Sequence, residues 1–91
     1  MIKIEQTSNT FEYKVSVSKD GKTEHIVFLA DDTYNLICAR KVSQTELIKQ
    51  SFIFLLERES NQSILRKFNL EDIKKYFPEY PKAIINYINQ I

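Results

Sequence analysis

The residues best suited to chemistry in this chain are its only histidine, His25, and the serine expected opposite it, Ser16. A histidine of ordinary pKa can act as a general base near neutral pH and activate a neighbouring hydroxyl. Such catalysis also needs a group that orients the base, and no residue stands at a spacing that indicates one. The simpler interpretation is an exposed histidine beside an exposed serine on a β-strand. We therefore predict no catalytic residue.

Metal and cofactor chemistry has little to use in this sequence. The only cysteine, Cys38, lies in an apolar run and on a different element from His25. Asp31 and Asp32 supply too few of the oxygen ligands that a hard cation takes, and the start of a helix accounts for both. The single glycine excludes a glycine-rich phosphate loop. We predict no metal site and no cofactor.

Basic residues gather in the second half of the chain, where tyrosines are interleaved with them. The residues of this candidate basic patch are Arg66, Lys67, Lys74, Lys75 and Lys82. Basic residues with aromatic neighbours can contact nucleic acid, but acidic residues are mixed in and the net charge of the chain is only +1. A dedicated nucleic-acid binder usually carries a clear basic excess. An ordinary solvated surface is the simpler interpretation, and nucleic-acid binding stays the alternative.

The elements that position these residues begin with a β-hairpin. Residues 11–18 alternate apolar and polar side chains, which is the period of a half-buried strand. Asp20-Gly21 is a strong turn signal, and a turn there would place Val15 opposite Ile26 on the core face. The other face, with a wet outer end and a partly covered inner end, would carry Thr23, His25, Val27 and Leu29.

The clearest helix start is the capping box at 43–46, in which a serine accepts from the N3 amide and a glutamate reaches back. The helix should run to about Glu59. Its apolar residues cover an arc of roughly 200°, about twice the minimum for a surface helix, so it needs cover on more than one side. Surplus apolar surface is typical of an interface. The candidate interface residues are Ile53, Phe54, Val27 and Leu29.

The remaining sequence completes a small α+β domain. Ile2 and Ile4 suggest a third strand at the edge of the sheet. The other helical segments follow the usual start and stop signals and are expected at 33–39, as a turn over 64–68, at 69–77 and after Pro81. We predict one domain over 1–91, in which a β-hairpin region (1–30) is packed by three or four helices (31–91).

Length and composition limit the class of protein. Ninety-one residues, 43% hydrophobic and 27% charged, suit one folded domain. No run approaches the roughly 20 apolar residues of a membrane span, and the first residues lack the apolar core of a signal peptide. With one cysteine no internal disulfide can form. We expect a location in the reducing cytoplasm and no membrane partner.

A mostly apolar block in the second half carries a resemblance to a known family. It consists of SFIFLLERE at 51–59, followed by matching residues at 63–65, 68–70, 73 and 76–80. Over this block the chain resembles a family of small prokaryotic proteins, and the hairpin and the helix start fit that family too. The resemblance brings no established activity, so it implies no catalytic or binding residue.

The leading hypothesis is a small non-catalytic cytoplasmic interaction protein. It would act through an apolar helix surface, either on a second copy of itself as a homodimer or on another protein. The alternative is a DNA-binding or antitoxin-like regulator that uses the basic residues of the C-terminal helices. A strand followed by two helices can pair into a ribbon-helix-helix dimer, although the predicted hairpin argues against that fold.

Overall fold

The computed structural model describes residues 1–19 and 21–91, so the predicted turn at Asp20 lies partly outside the described residues. The chain has the α+β fold that the sequence predicts. Its strands are β1 (Ile2–Gln6), β2 (Glu12–Lys19), β3 (Gly21–Phe28) and β4 (Lys67–Asn69). Its helices are α1 (Asp31–Cys38), α2 (Gln44–Leu56), α3 (Ile73–Tyr76) and α4 (Tyr80–Asn89).

The strands form one sheet in the order β1-β2-β3-β4. The first three are antiparallel neighbours, whereas β4 runs parallel to β3. The third strand expected at Ile2 and Ile4 is present as β1 at the sheet edge, and both side chains pack against the core. The helices cover the face of the sheet on which Tyr13, Val15 and Val17 are buried.

The register of the hairpin differs from the predicted register by one residue. Val15 lies opposite His25 and not opposite Ile26. Because side chains alternate along a strand, this shift moves every β3 side chain to the other face of the sheet. The residues that the shift buries on the core face are Thr23, His25, Val27 and Leu29.

The local pattern of β3 cannot choose between the two registers. Ile26 and Phe28 are apolar on one face, and Val27 and Leu29 are apolar on the other. The observed register also buries His25, whose hydrogen-bond partners include the carbonyl of a residue far along the chain. Burial of a polar ring is acceptable only where such partners exist, and strand periodicity carries no information about them.

The long helix α2 is the centre of the helical layer. Ser43 Oγ accepts from the Glu46 amide at 3.1 Å, as the capping box predicts. The other half of the predicted box is not formed, because the Glu46 carboxylate accepts from Gln50 and does not reach back to Ser43. The helix packs against β1, α1 and α4, so its broad apolar arc is covered from several sides within the chain. It ends at Leu56, before the predicted end at Glu59.

Strand β4 lies where the sequence predicts a helical turn over 64–68 and a wholly helical region over 31–91, so both predictions are wrong at this point. The Ile26 amide donates to the Arg66 carbonyl at 2.7 Å, and the Phe68 ring lies against Phe52 with centroids 6.1 Å apart. A parallel strand of three residues gains its hydrogen bonds from a distant partner. Short-range periodicity therefore gives no signal for it.

The last segments return the chain to the helical layer. The helix predicted at 69–77 is instead a 3₁₀ turn, Leu70–Asp72, followed by the single turn α3. Pro81 lies in the first turn of α4, as expected, because proline needs no amide partner there. Ile84 and Ile88 on α4 are buried, which closes the core over α2.

Candidate functional site

Three of the four predicted interface residues are buried in the protein's own core, so their assignment to an external surface is wrong. Val27 and Phe54 are fully buried and Leu29 is nearly so. The register shift turns Val27 and Leu29 inward, and aromatic rings cover Phe54. The rings that contact Phe54 belong to Phe77, Tyr80 and Tyr87. Ile53 is half-buried, and its interface role stays a prediction.

The five residues of the candidate basic patch do not share one surface. Lys67 lies on the outer face of the sheet, with its Nζ 5.6 Å from the centroid of the Phe28 ring. Lys82 belongs to α4, in the helical layer on the opposite side of the sheet, and Lys74 and Lys75 belong to α3. The patch is therefore divided between two sides of the molecule.

A groove opens between the C-terminal end of α2, the segment 63–68 and α3, and we call it the α2–α3 groove. Its volume is about 310 Å³, near the lower limit for ligand sites. Its apolar lining consists of Leu55, Ile64, Leu65, Phe68, Ile73, Tyr76 and Phe77. Leu65 and Tyr76 are 50% and 66% exposed. Large apolar side chains exposed around a concave surface are typical of a binding site.

Two carboxylates, Glu59 and Asp72, also line the α2–α3 groove. The Asp72 carboxylate forms an ion pair with Lys75 Nζ at 3.1 Å. The Glu59 carboxylate forms no hydrogen bond or ion pair with any residue that the structure describes. Partial burial raises the pKa of the Glu59 carboxyl, because burial disfavours the charged form. The groove thus holds one compensated carboxylate and one uncompensated carboxylate.

His25 is fully buried in a polar network, in contrast to the exposed position predicted for it. Its Nδ1 lies 2.8 Å from the Leu65 carbonyl oxygen, which can only accept, so Nδ1 carries the proton. Its Nε2 therefore accepts from the Thr23 hydroxyl at 2.9 Å, and Thr23 Oγ1 accepts from Asn61 Nδ2 at 2.9 Å. This network ties β3 to the segment that forms one side of the α2–α3 groove.

The environment of His25 makes it a structural residue. Burial lowers its pKa, the hydrogen bond to Leu65 raises it, and the charge of Arg66 lowers it further, with a net lowering. Both ring nitrogens have partners in the neutral form. Ser16 lies opposite Glu24, so the serine–histidine pair considered from the sequence is not formed. His25 therefore stabilises the fold as a neutral imidazole.

Other polar groups with reactive potential are also occupied in packing. Cys38 is a buried free thiol whose Sγ donates to the Tyr34 carbonyl at 3.4 Å. Within residues 1–19 and 21–91, no three His, Cys, Asp or Glu side chains lie together as metal ligands would. In that same part of the chain, no helix has both the length and the apolar character to cross a membrane.

Comparison with family models, curated proteins and solved structures finds no match for the chain. The family resemblance of the apolar block therefore stays a prediction.

The sequence does not identify Leu65, Tyr76 and Glu59 as groove residues. The groove forms because residues 64–66 before β4 are not helical and α3 is a single turn, whereas the pattern predicts helix in both places. The one available signal is Tyr76, which follows Lys74 and Lys75 and is therefore grouped with the basic residues when the sequence alone is considered. Convergence of the three side chains depends on tertiary packing that periodicity does not encode.

Proposed function

We propose that this protein is a small, non-catalytic protein-binding module whose α2–α3 groove takes an apolar segment of a partner protein. The observation that carries the proposal is the concave apolar lining with Leu65 and Tyr76 exposed at its rim. Exposed apolar residues scattered singly are normal on a protein surface. A cluster around a groove is different, because its apolar area can be removed from water only by a ligand.

The proposal keeps the interaction function expected from the sequence but moves it to another surface. α2 contributes to the groove through Leu55 near its C-terminal end, whereas Phe54 belongs to the core. The partner-facing side chains come from residues after α2. The cytoplasm is the proposed location, and the free buried thiol of Cys38 supports it, since free thiols persist in a reducing compartment.

A peptide titration tests the groove. The probe is a capped peptide, glycine-leucine-phenylalanine-glutamine-glycine, added to the ¹⁵N-labelled full chain and followed by NMR. We expect shifts at the amides around Leu65 and Tyr76, and loss of binding in Leu65→Ser and Tyr76→Ser. Leu36→Ser is the matched control, because Leu36 is 84% exposed on α1, outside the groove. Shifts that are scattered, or that persist in both groove variants, would contradict the proposal.

A second copy of the chain is the other occupant to consider. Leu36 and Ile85 form an additional exposed apolar area beside a cleft of about 180 Å³ between α1 and α4. Light scattering over a wide concentration range separates the cases. We expect a monomer, whereas a stable dimer that Leu65→Ser dissociates would assign the groove to self-association.

Nucleic-acid binding remains the alternative function, and the division of the basic residues between two sides of the molecule weakens it. A ribbon-helix-helix dimer needs one strand from each subunit, whereas this chain forms a sheet of four strands by itself. A duplex oligonucleotide titrated at low salt is the test. Binding that falls steeply as salt rises would support phosphate contacts, and we expect none.

A further inference from the structure

Glu59 is the groove residue whose charge the described part of the chain leaves uncompensated. Its carboxylate shares the α2–α3 groove with seven apolar side chains, and no described residue donates to it or pairs with it. The second carboxylate, on Asp72, is already paired with Lys75. A ligand in the groove would therefore meet one free negative charge next to an apolar surface.

The surroundings of Glu59 favour a cation from outside the chain. Partial burial removes water from the charged form of its carboxyl and so raises the pKa of that group. An opposite charge nearby stabilises the ionised carboxylate, and a ligand that completes the apolar lining would strengthen that attraction by excluding water. Three basic side chains on the segments around the groove are engaged, since Arg58 pairs with Glu79, Arg66 donates to Gln62 and Lys75 pairs with Asp72.

We propose that the α2–α3 groove selects a polypeptide segment in which a large apolar side chain is followed by a lysine or arginine. The apolar side chain occupies the groove and the cation pairs with Glu59. This inference rests on the proposed function and adds the chemistry of the partner. The groove volume of about 310 Å³ suits side chains rather than a whole folded element. The exposed rim residues Leu65 and Tyr76 would also contact the backbone of the bound segment.

Three matched capped peptides test the selection on the full chain at low ionic strength. They share glycine-leucine-phenylalanine and end in lysine-glycine, glutamine-glycine or glutamate-glycine. We expect the lysine peptide to bind about fivefold tighter than the glutamine peptide, and the glutamate peptide to bind weakest. Salt of about 1 M should reduce the preference, because it screens the ion pair.

Two variants assign the preference to one carboxylate. In Glu59→Gln, we expect the lysine and glutamine peptides to bind equally, with the glutamine peptide unchanged from the native chain. Glu5→Gln is the control of equal charge, since Glu5 is exposed on β1, at the sheet edge opposite β4. It should retain the fivefold preference.

A measurement on the native chain covers the case in which Glu59→Gln fails to fold. Carbon-13 NMR of the glutamate carboxyls should show that the lysine peptide lowers the pKa of Glu59 and that the glutamine peptide does not. Equal binding of the three peptides, or a preference that survives in Glu59→Gln, overturns the inference while the groove function stands. Failure of every peptide to bind overturns the proposed function itself.

Discussion

His25 Nδ1 donates a 2.8 Å hydrogen bond to the backbone carbonyl of Leu65, and this bond joins the buried sheet to the rim of the α2–α3 groove. The Leu65 side chain is half exposed, whereas its backbone is held by a residue with no exposed surface. A binding surface is more effective when its contact residues are held in place before the ligand arrives. In the proposed binding function, the buried histidine would therefore hold the groove in place without touching a ligand.

Acidification should destabilise the fold through His25. Because burial lowers the pKa in the folded state, the unfolded chain takes up a proton first as the pH falls below about 6.5. The stability contributed by the neutral ring is lost as the pH falls further through the folded-state pKa. We expect the free energy of unfolding in urea to decrease below about pH 6.5, by at most about 1.4 kcal/mol per pH unit.

Two controls separate His25 from the carboxyl groups that titrate in the same range. His25→Gln should show a shallower pH dependence than the native chain, and equal slopes would contradict the assignment. Long-range ¹H–¹⁵N NMR of the native imidazole should show the proton on Nδ1 at neutral pH. A proton on Nε2 would contradict the hydrogen-bond network.

Ser51 and Tyr80 should contribute a coupled, buried interaction between α2 and α4. Ser51 Oγ donates to the Leu47 carbonyl at 2.8 Å, so the Tyr80 hydroxyl donates to Ser51 Oγ at 2.7 Å. Ser51→Ala leaves the tyrosine hydroxyl buried without that partner and should lower the free energy of unfolding by about 1–3 kcal/mol.

A double-mutant cycle isolates this interaction. We expect the variant with Ser51→Ala and Tyr80→Phe to be about 1 kcal/mol more stable than the sum of the single changes implies. Strict additivity in urea unfolding would show that the two hydroxyls do not interact. Tyr76→Phe is the exposed control and should leave stability within about 0.5 kcal/mol of the native value.

The elements with strong local signals are those that the sequence predicts well. Ser43 begins α2 through its own side chain, Pro81 fits the first turn of α4, and alternation marks β2. The register between β2 and β3, and the strand β4, could not be predicted from the sequence because both depend on contacts with the distant segment 61–69. That segment supplies the hydrogen bond to the buried His25 and the Phe68 ring that packs in the core. Without both contributions, burial of this face of β3 would not be favoured.

The candidate site is harder to predict than the fold for the same physical reason. A wide apolar arc on a helix indicates that cover is needed, but it does not say whether the cover comes from the chain or from a partner. α4 and the loop before it supply the cover for Phe54. No pattern in the sequence around Leu65 marks it as exposed, so its exposure is evident only in the tertiary structure.

Glycine at position 39 should stabilise the protein. Ala39 ends α1 with φ of 50° and ψ of 35°, a left-handed conformation that disfavours residues with a Cβ by about 1–2 kcal/mol. Glycine adopts it freely but increases the entropy of the unfolded chain. We expect Ala39→Gly to raise the free energy of unfolding by about 0.5 kcal/mol.

Ala83→Gly is the control for this change. Ala83 lies inside α4 and is not among the described residues with a positive φ. No left-handed strain is relieved there, so the variant should lose about 1 kcal/mol of stability. Thermal unfolding of both variants is the measurement, and stabilities that change in the same direction would contradict the account.

Phe54 should behave as a core residue and not as a contact residue. It is fully buried, and the guanidinium carbon of Arg58 lies 3.6 Å from its ring centroid, which closes the side left open by the aromatic neighbours. Truncation creates a cavity that this packing cannot refill, so Phe54→Ala should lower the free energy of unfolding by about 3–5 kcal/mol. Phe54→Leu retains more volume and should lower it less. An interface residue would give the opposite result in light scattering and urea unfolding, namely an altered mass with nearly unchanged monomer stability.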